Sequence, residues 1–115
     1  MKGKLGDKQR LLHIYEAIVE IENYVSGSVI EAFLSNSMMK YACIKQLEII
    51  GEASNLITNE TKDIMTDVPW KQIVGMRHLL VHEYFGVDFE LIWQVISFNL
   101  PVLKKQVEIH LKSTQ

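Results

Sequence analysis

Apolar residues recur three and four positions apart along four long stretches of this chain, and nowhere do they alternate in twos. The first stretch carries Leu11, Ile14, Ile18, Ile21 and Val25, widened by Leu12, Tyr15 and Val19. The second carries Met39, Cys43, Leu47, Ile50, Ser54 and Ile57, the third Trp70, Ile73, Val74, Leu80 and Val81. The last carries Phe89, Ile92, Trp93, Ile96, Leu100, Leu103 and Val107. A repeat near 3.6 puts such residues on one helix face, whereas a half-buried strand needs a repeat of two. Two prolines and six glycines in 115 residues leave little punctuation for many short strands. The pattern predicts an all-α chain: an antiparallel four-helix bundle with short additional helices, in one domain over 1–115.

The breaks between stretches are legible. Asp7 reads as the N-cap of the first helix and Gly27 as its stop; Ser28-Val29-Ile30-Glu31 reads as a capping box for a short second helix. Ser35-Asn36-Ser37 ends that helix and caps the next, which runs from Met38 to Ile57. Gly51 sits inside it at a cost of ~1 kcal/mol, a position suited to close approach of a neighbouring helix, with Ala53 helping. Thr58 to Asp67 is a polar connector with room for one helical turn. Pro69 suits the first position of the third helix, Gly86 marks its exit, and Asp88 caps the last. Pro101 should kink that last helix, because it removes a hydrogen bond and crowds the Ser97 carbonyl.

Charge and cysteine content narrow the function classes. Twelve Lys and Arg against fourteen Asp and Glu give a net charge of −2, so a nucleic-acid site here must be a local basic patch or one assembled from several copies. A single cysteine, Cys43, excludes an internal disulfide and suits a reducing cytosol. No apolar run opens the chain and Leu91 to Leu103 is too short to span a bilayer, so neither a signal peptide nor a membrane segment is expected.

Chemistry concentrates in Arg77-His78-Leu79-Leu80-Val81-His82-Glu83-Tyr84. Arg77 supplies a planar fork that grips phosphate, and His82 a group that exchanges protons near neutrality. Arg77 and His82 are five apart, roughly 140° around a straight helix, so one helix does not aim both at one phosphate. Two solutions are open. The helix unwinds near His82, turning His82 and Tyr84 to one side, or two copies of the chain share the site. The isolated spacing is common, and plain structural roles compete with the chemical one. Arg77 would then pair with Glu52 or Glu83, and His82 would be a hydrogen-bonded helix end. His78 and His82, four apart with Glu83 beside them, also have a spacing that grips zinc, but Leu79-Leu80 stands where zinc-protease motifs need an acid. Glu48 and Glu52 share a helix face without the histidines of a di-iron bundle, which leaves a solvated or salt-bridged face. Lys104, Lys105 and Lys112 read as a solvated helix end, or as an RNA-binding extension with Lys2, Lys4, Lys8 and Arg10; His13 and His110 read as surface residues.

The arginine, a polar residue, the histidine and a tyrosine two further on resemble the HEPN superfamily of ribonucleases, and within it the HepT-like toxins. The likeness extends to Lys45–Ala53, to Val68–Arg77, to Val81–Asp88 and to Asn99-Leu100-Pro101, with spaced matches from roughly Tyr41 to Leu103. His78 stands where the family often has Asn, and Glu83 where it often has Gly. The resemblance implies a metal-independent endoribonuclease without cofactors, cytoplasmic, acting by transesterification to a 2′,3′-cyclic phosphate. In it Arg77 would clamp the scissile phosphate, His82 would act as base or acid, and His78 would be an accessory polar group. It implies a composite site at a homodimer cleft and, as partner, a minimal nucleotidyltransferase antitoxin that adds AMP to Tyr84, with a larger hetero-oligomer as an option. Two readings compete: a non-catalytic helical module that binds a nucleotide or docks a nucleotidyltransferase, and a purely structural dimerisation bundle.

Overall fold

The computed structural model of the chain describes residues 4–113, and the side chains of Lys4, Leu5 and Tyr84 lie outside that description. Helix α1 spans Lys4–Val25, α2 Ile30–Ser35, α3 Ser37–Asn55, α4 Asn59–Ile64 and α5 Trp70–His82. A 3-10 turn, Tyr84–Gly86, follows. The last helix is continuous in three parts: α6 (Phe89–Gln94), a π-helical turn (Val95–Asn99) and α7 (Leu100–Ser113). No strand occurs among the described residues.

Cross-links between helices show their directions. Tyr15 donates to Glu108 Oε2 at 3.4 Å and Lys104 Nζ to Glu22 Oε1 at 2.9 Å, so rising numbers on α1 meet falling numbers on α7. Gln46 Nε2 donates to the Tyr24 hydroxyl at 3.2 Å while Asp7 meets Thr58, so α1 and α3 are antiparallel as well. The long helices thus form the expected bundle, with α1 against α3 and α7, and α3 against α5. All four predicted stripes turn inward: Ile14, Ile18 and Ile21, Cys43 and Ile50, Leu80, and Ile92, Leu103 and Val107 are among the buried residues. Each such side chain stabilises the fold by about 1.5–3 kcal/mol relative to exposure. Phe33 of α2, fully buried, stacks 5.1 Å from Trp93 and 6.5 Å from Phe89, which seats the short helix on the start of α6.

The caps follow the sequence in most places. Gly27, at φ 74°, takes the left-handed conformation that ends α1, and the Ser28 N–H reaches back to Val25. Asn36 accepts from the Met39 N–H at 3.0 Å, Thr58 caps α4, and Asp88 accepts from the N–H groups of Glu90 and Leu91. Three expectations are corrected. Val29, not Ser28, precedes α2 and no side chain caps it, so the capping box does not form. Pro69 is the N-cap of α5 rather than its first helical residue; its carbonyl accepts from Ile73. Asp7 lies inside the first turn of α1, is 3% exposed, and accepts hydrogen bonds from the Thr58 N–H (2.9 Å) and from the hydroxyls of Thr58 and Thr61 (2.5 Å each). It therefore ties α1 to the cap of α4 rather than capping its own helix.

Pro101 does not break the last helix. The turn before it widens, and the Leu100 N–H bonds to Val95 O, five residues back. This π turn carries the ladder across the place where the proline ring would crowd the preceding carbonyls. Between α5 and α7, over α3, lies a cleft of about 360 Å³ lined by Leu47, Ile50, Ile73, Met76, Val95 and Leu103 among others.

Candidate active site at the end of α5

Arg77 emerges where α5 comes closest to α3. A Cβ built on Gly51 would meet Arg77 Cβ at 2.2 Å, Arg77 Cγ at 2.9 Å and the Ile73 carbonyl at 3.3 Å. Only a residue without a side chain lets the arginine stem lie there, the close approach that the sequence suggested for Gly51. The guanidinium then passes Gly51 and reaches its neighbour: Arg77 Nη2 sits 3.0 Å from Glu52 Oε2, both side chains remaining partly exposed. Of the two structural partners considered for Arg77, Glu52 is the one present. A half-exposed pair of this kind contributes only about 0–1 kcal/mol, so it orients the fork more than it stabilises the fold. It uses one terminal nitrogen and leaves other N–H donors of the fork for an anion.

Helix α5 remains helical through His82, and only then does Glu83, at φ −126° and ψ 38°, leave the helix with its N–H on Leu79 O. The helix thus ends at His82, where the sequence placed its unwinding, but one residue too late to turn His82 relative to Arg77. Tyr84 begins a compact 3-10 turn closed by the Gly86 N–H on Glu83 O, not an extended exit. Arg77 thus leans toward α3 while His82 projects from another side of the same helix, roughly 140° away. What the structure does bring together is His78 and His82, one turn apart, with ring centroids 4.6 Å from each other and both residues exposed. No group of three or more His, Cys, Asp or Glu side chains placed to hold a metal occurs among the described residues.

Two stretches of the chain lack acids. Residues 70–82 contain Lys71, Arg77, His78 and His82 and no acid, and residues 91–107 contain Lys104 and Lys105 and no acid. In a chain of net charge −2, α5 is thus free of acids, while α7 carries Glu108 among its lysines. Lys104 is an exception to the solvated end read from sequence, since it pairs with Glu22, and that hydrogen bond raises its pKa. Of the other cations considered for RNA, Lys2 and the Lys4 side chain lie outside the described residues, Lys8, Lys105 and Lys112 are exposed, and Arg10 is half-exposed. The Tyr84 side chain also lies outside what the structure describes; its backbone opens the turn directly after His82 and Glu83. Nor is His110 a simple surface residue: it is half-buried, and its charge acts on Asp7.

Comparison with known proteins identifies the family. The model of the family described as "Ribonuclease HepT-like" matches residues 14–109. A relative from Methanocaldococcus jannaschii whose name includes RNase is 40% identical over 107 residues, 93% of this chain and 98% of its own length. A protein of Thermococcus cleftensis bearing the name ribonuclease HepT is 39% identical over 105 residues, 91% of this chain and 96% of its own. Another relative named for RNase activity, from Caldanaerobacter subterraneus, is 40% identical over 98 residues, covering 85% and 88%. No solved structure matches the chain. A family match over most of the chain, with relatives aligned along nearly their whole length, makes this chain a member of the ribonuclease HepT-like family and an RNase.

Proposed function

We propose that the chain is a metal-independent endoribonuclease toxin of the cytoplasm that cleaves RNA by transesterification. A base, His82, takes the proton of a ribose 2′-hydroxyl; the 2′-oxygen attacks the adjoining phosphorus. The 5′-oxygen leaves and is protonated, giving a 2′,3′-cyclic phosphate and a 5′-hydroxyl. Arg77 holds the phosphate and the charge that builds on it, and His78 is the accessory polar group beside His82. The observation that carries this reading is the anchored fork: Arg77 pressed onto Gly51 and held by one nitrogen to Glu52, on a helix whose outer face bears the His78–His82 pair.

Because Arg77 and His82 diverge on one helix, the complete site is shared by a homodimer packed through α5 and α6–α7. Exposed Leu79, Leu91, Phe98 and Val102 on these elements favour burial against a second copy. Regulation falls to Tyr84, to which a cognate minimal nucleotidyltransferase adds AMP; each adenylyl group brings a phosphodiester charge and a large base to the cleft, occupying Arg77 and repelling RNA. A larger hetero-oligomer with that antitoxin follows from the same contact. No described helix is long and apolar enough to cross a membrane.

A second reading, a non-catalytic module that binds a nucleotide or docks a nucleotidyltransferase, is favoured by Glu52 already occupying part of Arg77 and by Glu83 at the helix exit. One assay separates the two: purified protein on RNA in EDTA, with His82→Ala alongside. Cleavage to cyclic-phosphate ends that vanishes in His82→Ala with the helical spectrum intact supports the enzyme. RNA binding without cleavage supports the module, and activity lost in EDTA and restored by zinc would overturn metal independence.

A further inference from the structure

The chain has two arginines, and they flank one carboxylate. Arg77 pairs with Glu52 across the outer surface of α3. Arg10 lines a groove of about 190 Å³ between α1 and α3, with His13, Ile49, Ala53, Leu56 and that same Glu52. Sites for drug-sized molecules run to about 300–1,000 Å³, so this groove takes something smaller, the size of one planar ring. Its floor and apolar walls are Ala53, Ile49 and Leu56, Leu56 being half exposed. Its polar rim on α1 has the guanidinium of Arg10 and the imidazole of His13, and on α3 the single carboxylate of Glu52, whose charge Arg77 already offsets. Apolar walls with a cation at the rim match a nucleobase with its phosphate, and RNA is read mainly through bases splayed out of single strands. Arg is the side chain best shaped to hold a phosphate beside such a base. His13, read from sequence as a surface residue, is exposed, and the packing of α1 on α3 brings it into one groove with Ile49 and Glu52.

We propose that this groove is an RNA subsite for the nucleotide next to the scissile phosphate: Arg10 and His13 hold its phosphate, and its base lies over Ala53 between Ile49 and Leu56. The inference rests on the ribonuclease reading for its ligand. Glu52 pairs with Arg77 through Oε2 and also lines the groove. Glu52 thus joins the phosphate clamp to the base subsite.

The test uses the full chain and a short single-stranded oligonucleotide carrying 2′-deoxyribose at every position, which cannot be cleaved, so binding is read without catalysis. Arg10→Gln and His13→Gln should each weaken binding about 5- to 20-fold, and the slope of log affinity against log salt should become shallower by about 0.7 in Arg10→Gln. A photoreactive base in the oligonucleotide should cross-link to peptides containing Ile49 to Leu56. Affinity and salt slope within twofold of the parent in both variants, or cross-links confined to other helices, overturns the subsite. The two readings fail separately. Cross-linking in the groove by a protein that never cleaves RNA would sink catalysis and leave the subsite standing. Cleavage with cross-links elsewhere would do the reverse.

Discussion

Gly51 and Arg77 occupy one packing position between them: the backbone of the first lies where the stem of the second must pass, with 2.2 Å between Arg77 Cβ and any Cβ that Gly51 might carry. The place of Arg77 therefore depends on a residue that has no side chain of its own. Gly51→Ala gains helix propensity of up to ~1 kcal/mol but forces α3 and α5 apart, an overpacking cost of about 1–3 kcal/mol or more. Net destabilisation of about 1–2 kcal/mol in urea unfolding, with RNA cleavage reduced at least tenfold at temperatures where the variant is folded, is the expected outcome. A variant as stable and active as the parent would show that the helices separate at no cost.

Arg77→Lys keeps the charge and loses the fork. Cleavage should fall by two orders of magnitude or more, because an ammonium offers no planar pair of donors to the phosphate and no fixed geometry to Glu52. Mixing inactive Arg77→Ala with inactive His82→Ala then tests sharing of the site. Mixed dimers should regain part of the parent rate, since one site in each can draw Arg77 from one copy and His82 from the other. Mixtures that stay dead, or a monomer by light scattering at micromolar concentration, argue for a site within one chain.

Tyr84 is the phenol expected to receive AMP. Tyr15 donates to Glu108 and Tyr24 accepts from Gln46, so both hydroxyls are engaged within the bundle. Tyr41 is 59% exposed and is the control that peptide mapping must exclude. Co-expression with a cognate nucleotidyltransferase should add one or more AMP groups to the Tyr84 peptide and abolish RNA binding, while Tyr84→Phe should escape neutralisation relative to its own untreated rate. Modification mapped to Tyr41, or none with an active transferase, would refute the assignment.

Acid should act through Asp7. Burial by itself would raise its pKa, but hydrogen bonds from Thr58 and Thr61 and the charge of His110 outweigh burial and hold it below its ordinary value of 3.8. A carboxyl with a depressed folded pKa contributes stability that is complete above its unfolded value and is lost as pH falls through the folded one. Parent protein should therefore lose melting temperature from about pH 4 downward, and Asp7→Asn should show a smaller loss over the same range. At neutral pH Asp7→Ala should cost about 2–4 kcal/mol, because it strands the Thr58 and Thr61 donors. Parallel pH profiles for parent and Asp7→Asn would place the acid sensitivity elsewhere.

The bundle could be read from sequence because each long helix declares its buried face by period alone, and Gly27, Asn36 and Asp88 act within one turn of themselves. The family was legible too, since the stretch from Arg77 to Tyr84 is contiguous and its likeness to HepT-like ribonucleases needs no tertiary contact. What the sequence left open depended on contacts between distant residues. Whether Arg77 would choose Glu52 or Glu83 was decided by how closely α3 and α5 approach at Gly51. Whether the chain would leave the helix near His82 as an extended exit was decided by α5 staying helical through His82 and by the 3-10 turn that follows. Asp7 left its capping role for Thr58 and Thr61, residues 51 and 54 positions away, because the end of α3 returns beside the start of α1. Period and local capping are properties of a few neighbouring residues and survive in a linear reading. Partner choice between side chains far apart in the chain exists only once the helices have packed.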